Sequence, residues 1–181
     1  MRTAFMCVPP SQKTICNSKM VENRLKFVTD GMLGKLTRWL RMLGHNVKYA
    51  KNLDDKTIIK IAKSEKRTLL TRDADLYQQA TNQHASTFFI ERKDKVECLA
   101  SLSKRFGLKL EINPDISRCP KCNAKIKQVK KPEVSQKILP STKAHYEEFW
   151  QCGRCGKIYW QGAHWKRISE TLRKAERVMQ E

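Results

Sequence analysis

Two groups of residues in this chain have the types and spacing to do chemistry. The first is acidic. Asp30, Asp54, Asp55, Asp73 and Asp75 fall just after three short apolar, β-branched runs, Leu25–Val28, Val47–Ala50 and Thr68–Thr71. Runs of that length and composition read as strands covered on both faces. Carboxylates at the carboxyl ends of neighbouring parallel strands are placed where such sheets bind ligands. Hard divalent ions such as Mg²⁺ or Mn²⁺ take a few carboxylates and keep several waters, and such ions serve phosphodiester hydrolysis. The second group is Cys119-Pro-Lys-Cys122 and Cys152-Gly-Arg-Cys155, two C-x-x-C knuckles with 29 residues between them. Four thiolates so spaced suit a tetrahedral structural zinc site.

Both groups have plainer readings. Aspartate is a favoured helix N-cap, and Asp54, Asp73 and Asp94 all stand where helices should begin. Capping leaves Asp55 and Asp75 surplus and has no need of Asp30. Five of the 12 acidic residues in 1–115 sit at these strand ends, in a chain of net charge +19, which favours a cation site. For the cysteines the alternative is a redox dithiol, and the paired spacing favours zinc.

The elements that must position these residues follow from periodicity. After the first run, Leu33, Leu36, Leu40 and Leu43 mark one apolar stripe of a helix from about Met32 to Leu43, closed by Gly44. Lys35, Arg38 and Arg41 are expected on its solvent face. A helix opened by Asp54 or Asp55 carries Ile58, Ile61 and Ala62. A shorter one follows Asp73 with Leu76 and Ala80, and Ser86–Ile90 is a further strand. Asp94 with Glu97 resembles a capping box ahead of a helix ending at Gly107, with Cys98 as a small core residue. This alternation of strand and helix specifies an α/β fold with a mainly parallel sheet flanked by helices over residues 24–112.

A small Cys₄ zinc ribbon is expected over 116–168. Its strands lie near Ile126–Val129, Phe149-Trp150 and Ile158–Trp160, and 130–148 forms a loop or extended arm. Trp150, Tyr159, Trp160, Trp165 and His164 crowd the second knuckle. We read them first as the core of a module too small to build another, with base stacking as the alternative. A basic helix, continuing through 169–181, closes the chain. Residues 1–23, with Cys7 and Cys16, read as a flexible N-terminal tail.

Charge bounds the partner. Residues 1–115 carry 22 Lys/Arg against 12 Asp/Glu, and residues 116–181 carry 15 against 6. Both parts are therefore basic, and the excess points to a polyanion, nucleic acid before membrane surface. No run has the roughly 18–20 apolar residues of a membrane span, so a cytoplasmic protein is expected, with no membrane partner.

The runs Phe27–Gly44, Leu53–Asp55 and Leu69–Asp73, both knuckles, and Cys155–Trp165 together resemble the PIN-like RNase family with attached zinc ribbon. That family is found at the C-terminus of the mut-seven mutator exonuclease and in free-standing archaeal and bacterial proteins. The resemblance covers about residues 25–168. It implies a PIN-like Rossmannoid fold and metal-dependent ribonuclease activity. Asp30, Asp55 and Asp73 would be the Mg²⁺ or Mn²⁺ ligands, with Asp75 a looser fourth catalytic member and Asp54 the competitor of Asp55. Lys35, Arg38 and Arg72 would hold the RNA backbone, and the ribbon (Cys119, Cys122, Cys152, Cys155 on Zn²⁺) would aid RNA binding. A non-catalytic RNA-binding factor, associated with the ribosome or with ribosomal RNA maturation, is the alternative.

Overall fold

The computed structural model describes residues 25–91 and 94–180. The tail expected over 1–23 lies outside the described residues. Strands β1 (Lys26–Asp30), β2 (Asn46–Ala50), β3 (Thr68–Thr71) and β4 (Thr87–Phe89) form a wholly parallel sheet in the order β2-β1-β3-β4. Helices α1 (Gly34–Met42), α2 (Asp55–Ser64), α3 (Ala74–Asn82) and α4 (Lys95–Phe106) connect or follow them.

The two-residue alternation of strand side chains separates two apolar layers. Phe27 and Leu70 face one layer, with Leu36 and Leu40 of α1 and Leu99 and Leu102 of α4. Val28 and Leu69, paired in register, face the other with Ile58, Ile59, Leu76 and Ala80 of α2 and α3. Each fully buried Leu, Ile or Phe contributes about 1.5–3 kcal/mol, against about 1 kcal/mol for a helix cap. Burial of these stripes therefore decides the architecture, and the caps set where helices start. The α/β class, the parallel sheet and the element order agree with the sequence reading. One local difference is a 3₁₀ turn, Gly31–Leu33, ahead of α1. Gly44 has φ +92 and lies where a Cβ would come 3.1 Å from the Ile116 carbonyl oxygen, so both conformation and space call for glycine.

Residues 116–162 build the second module. Strands β5 (Ile126–Val129), β6 (Phe149–Cys152) and β7 (Ile158–Tyr159) form an antiparallel sheet in that order. The stretch 130–148, expected as a loop or arm, instead contains two short helices, α5 (Lys131–Val134) and α6 (Pro140–His145). Pro132 and Pro140 sit in their first turns, where a missing N–H costs nothing. Val134 and Thr142 are buried and pin both helices down.

Helix α7 (Ala163–Gln180) then returns to the first module. Leu172 and Ala175 join the α1–α4 layer, and the Ser103 hydroxyl lies 2.9 Å from the Met179 sulfur. The division expected at 168–169 falls inside this continuous helix. No helix among the described residues is long and apolar enough to cross a membrane.

The modules meet along β2, an edge strand. The side of Val47 facing away from β1 presents both its backbone groups. Its N–H donates to Asn123 Oδ1 (3.1 Å), and its carbonyl accepts from Arg41 Nε and Nη2 (3.1 and 2.9 Å). Arg41 Nη1 also donates to the carbonyls of Pro120 and Lys121 in the first knuckle (3.0 and 3.2 Å). This corrects the placement of Arg41 on the solvent face: it is 6% exposed. Its guanidinium can be buried because three carbonyls receive it.

Candidate catalytic edge and metal centre

The carboxyl ends of β1, β2 and β3 lie on one edge of the sheet, as parallel pairing requires. The chain leaves β1 toward β2 on one side and later enters β3 on the other, so the crevice between β1 and β3 is the topological switch point. Asp30 occupies its β1 wall, and Thr71 to Asp73 its β3 wall.

Asp30 is 6% exposed and saturated with hydrogen bonds. Oδ1 accepts from the N–H groups of Met32 (2.8 Å) and Leu33 (3.2 Å). Oδ2 accepts a short bond from the Thr71 hydroxyl and a longer one, 3.3 Å, from the Arg72 N–H. Asp30 therefore caps the 3₁₀ turn, which corrects the inference that capping had no need of it. Thr71 Oγ1 in turn accepts from the Asp73 N–H at 2.9 Å, so one buried hydroxyl links the two aspartates.

Asp73 caps α3: its Oδ1 accepts from Asp75 N–H (2.9 Å) and Leu76 N–H (3.1 Å), and the residue is exposed. Asp54 caps α2 through Thr57, accepting from its N–H (3.0 Å) and hydroxyl (2.7 Å). Those bonds hold its carboxyl below the ordinary range. With Asp54 committed to the cap, the half-buried Asp55 stands in the first helical turn, its carboxylate with no hydrogen bond among the described residues. Asp75 is likewise exposed in the first turn of α3. Lys35 and Arg38 are exposed along α1. Arg72 is half-buried, and its Nη2 lies 3.4 Å from the Cys98 sulfur.

Among the described residues, the four cysteines form a group whose ligand atoms all lie within 4.8 Å of one another; the aspartates form no such group. The Cys119–Cys155 and Cys122–Cys152 sulfur separations are 3.6 and 3.4 Å. A tetrahedron with Zn–S bonds of about 2.3 Å has edges of about 3.8 Å, so the cluster has the dimensions of a Cys₄ metal site. Burial pushes the Cys119 thiol up, but bonds from the Tyr159 hydroxyl (3.0 Å) and its cysteine neighbours bring it down to about 6. Burial pushes Cys122 up to about 12. Burial also lowers Arg41 from its ordinary value, while the adjacent Cys119 and Cys122 charges act the other way.

Three residues with parts in this arrangement escaped sequence reasoning. Thr71 had one signal, a polar residue ending an apolar strand. Tyr49, whose hydroxyl donates to the Gly31 carbonyl at 2.9 Å, and Arg41 had none.

A doubly wound parallel sheet, acidic at its switch point and carrying a four-cysteine module on its edge strand, defines an α/β protein with an attached ribbon. Residues 25–172 match the Mut7-C RNAse domain, and the chain belongs to that family, which points to a function of the nuclease or RNase class. No curated protein and no solved structure matches it.

Proposed function

We propose that the chain is a divalent-metal-dependent ribonuclease whose active site is the β1–β3 crevice. The observation that carries this is the linked pair Asp30–Thr71–Asp73 at the switch point, in a chain of the Mut7-C RNAse family. The donor chemistry suits Mg²⁺ or Mn²⁺. Among the described residues nothing donates a hydrogen bond to the second oxygen of Asp73 or to the carboxylates of Asp55 and Asp75, so they can take an ion without breaking one. Asp30 would exchange its weakest partner, the Arg72 N–H at 3.3 Å, for such an ion. Bound there, divalent ions supply an activated water and charge neutralisation at the leaving oxygen. The protein's own share is to fix the carboxylates on strand ends and helix first turns, where backbone N–H groups and packing hold them. Zn²⁺ in the Cys₄ site keeps the ribbon folded, and the ribbon helps to hold RNA.

The test is to supply Mg²⁺ or Mn²⁺ to protein that retains its zinc but has been freed of those ions, with labelled RNAs as substrate. Cleavage should appear only on addition. Asp73→Asn keeps the cap, because asparagine caps as well as aspartate. It should therefore lower turnover roughly a hundred-fold or more, with thermal stability unchanged and RNA affinity unchanged or higher. Unchanged turnover would reject the assignment. The filled hydrogen-bond shell of Asp30, and an aspartate spacing too wide to form a metal-sized group among the described residues, favour a non-catalytic RNA-binding role. That role predicts binding without cleavage in either ion.

A further inference from the structure

A cavity of about 580 Å³ opens where α1 and β2 face the ribbon. Arg38 and Lys51 line it from the sheet side, and Lys121 and Lys157 from the ribbon side; no aspartate or glutamate lines it. None of these four makes an ion pair among the described residues. Its floor carries Gly34, where a Cβ would lie 2.7 Å from the Tyr49 hydroxyl oxygen. Glycine there lets the Tyr49 ring lie down and bond the carbonyl of Gly31, the residue after Asp30. The cleft therefore begins beside the acidic edge.

A second cavity, about 570 Å³, lies on the ribbon and is walled by Tyr146, Trp160, His145 and His164. Lys157 and Tyr159 line both cavities, so the two adjoin. Lys157 Nζ sits 5.9 Å from the centre of the Tyr159 ring. Trp160 is 38% exposed, with Tyr146 and Phe149 each 6.4 Å from it, centre to centre. Its indole is held beside Tyr146 within the pocket wall and against Phe149 of the ribbon sheet, and part of its surface stays exposed. Trp150, by contrast, is buried and belongs to the ribbon core.

We propose that these two cavities form one track for single-stranded RNA. The phosphate backbone runs from the acidic edge through the cleft of Arg38, Lys51, Lys121 and Lys157, and one unpaired base enters the aromatic pocket on Trp160. A cleft lined by basic side chains and by no acidic one suits a polyanion. A pocket in the size range of small-ligand sites, with a partly exposed indole, suits a base that has left its stack. A duplex keeps its bases stacked inside and cannot fill it. The inference rests on the ribonuclease reading for its substrate, but its test requires no cleavage.

The probe is a fluorescently labelled single-stranded oligouridylate, and a duplex of equal length, titrated with zinc-loaded protein without Mg²⁺ or Mn²⁺, read by anisotropy over a range of salt. The single strand should bind more tightly. The doubly substituted Lys121→Ala/Lys157→Ala protein should lower the slope of log affinity against log salt by about 0.7 per lysine lost. Trp160→Ala should weaken binding roughly five-fold or more at every salt concentration without changing that slope. If Trp160→Ala releases zinc, the exposed lysine pair decides alone. Equal affinity for the duplex, or an unchanged salt slope in the lysine variant, overturns the track. Binding through the track without cleavage in Mn²⁺ overturns the ribonuclease reading and leaves the track standing. Metal-dependent cleavage with unaltered RNA binding in the lysine variant does the reverse.

Discussion

Replacing Arg41 tests whether the ribbon is built into the nuclease fold. Arg41→Met keeps the aliphatic stem and the packing but removes four hydrogen bonds to three carbonyls. Leaving a buried acceptor unsatisfied costs about 1–3 kcal/mol. The Val47 carbonyl, enclosed between α1 and the knuckle, should lose toward the upper end of that range. The Pro120 and Lys121 carbonyls are partly buried and recover some hydration, so about 0.5–1 kcal/mol each is reasonable. The expected loss is about 3–5 kcal/mol, a large share of the 5–15 kcal/mol of an ordinary domain. Arg41→Lys retains the charge but not the planar fork, and should lose about half as much. The charge has a second effect, because the guanidinium lies close enough to Cys119 and Cys122 to stabilise their thiolates. Removing it should speed zinc transfer to a chromophoric chelator. Urea unfolding of the zinc-loaded protein, followed by circular dichroism and by tryptophan fluorescence, measures the first effect. A single wild-type transition should shift down in Arg41→Met and separate between the two probes as the ribbon comes loose. A loss below about 1 kcal/mol with unchanged zinc transfer would refute the clamp.

The remaining predictions concern the centres on either side of that contact. His45 packs edge-on to Phe27, and both its ring nitrogens are buried without a hydrogen-bond partner among the described residues. Burial holds it at about 4, below its ordinary 6.5. The unfolded chain therefore binds the extra proton between those values, and stability is complete above about pH 6.5 and lost as pH falls toward 4. The loss between about pH 7.5 and 5 is about 2 kcal/mol. His45→Phe should flatten that slope in urea titrations at the two pH values; an undiminished slope would clear His45 of responsibility. Cys122→Ser should bind less than one zinc per chain by metal analysis and lower the melting temperature of the whole protein, because the same knuckle covers β2. Full zinc occupancy in that variant would contradict the Cys₄ assignment.

The fold from β1 through α4 was legible because its information is local. The stripes Leu33-Leu36-Leu40-Leu43 and Ile58-Ala62 state their own period, and Gly44 and Gly107 mark their own stops. The edge position of Asp30, Asp55 and Asp73 also followed from strand order alone. What sequence could not show depends on partners remote in the chain. Arg41 reads as solvent-facing on a helical wheel, and its burial depends on carbonyls about 80 residues away. Asp30 could be assigned to a cap only after the chain turned through a 3₁₀ segment, whose three residues carry no periodicity. The final helix was legible as a helix, but its seat on α4 required knowing which apolar face the sheet had left uncovered.

The contact along β2 joins stability to substrate handling. An edge strand with unpaired backbone groups invites another strand. Here Arg41 and Asn123 occupy the outward groups of Val47, and Asn123 also donates to the Asn46 side chain at 2.8 Å. Asn123 adopts φ +68, a conformation asparagine tolerates better than most residues, directly after the knuckle cysteine. The knuckle geometry thus presents the capping amide, and it places Lys121 on the rim of the cleft two residues earlier. If the ribbon were only a tethered RNA-binding module, its docking would be replaceable by a linker. Because the same turn closes the sheet edge and supplies the cleft's far wall, loss of the metal should open the edge and the track together. RNA affinity should therefore fall in step with stability as zinc is withdrawn.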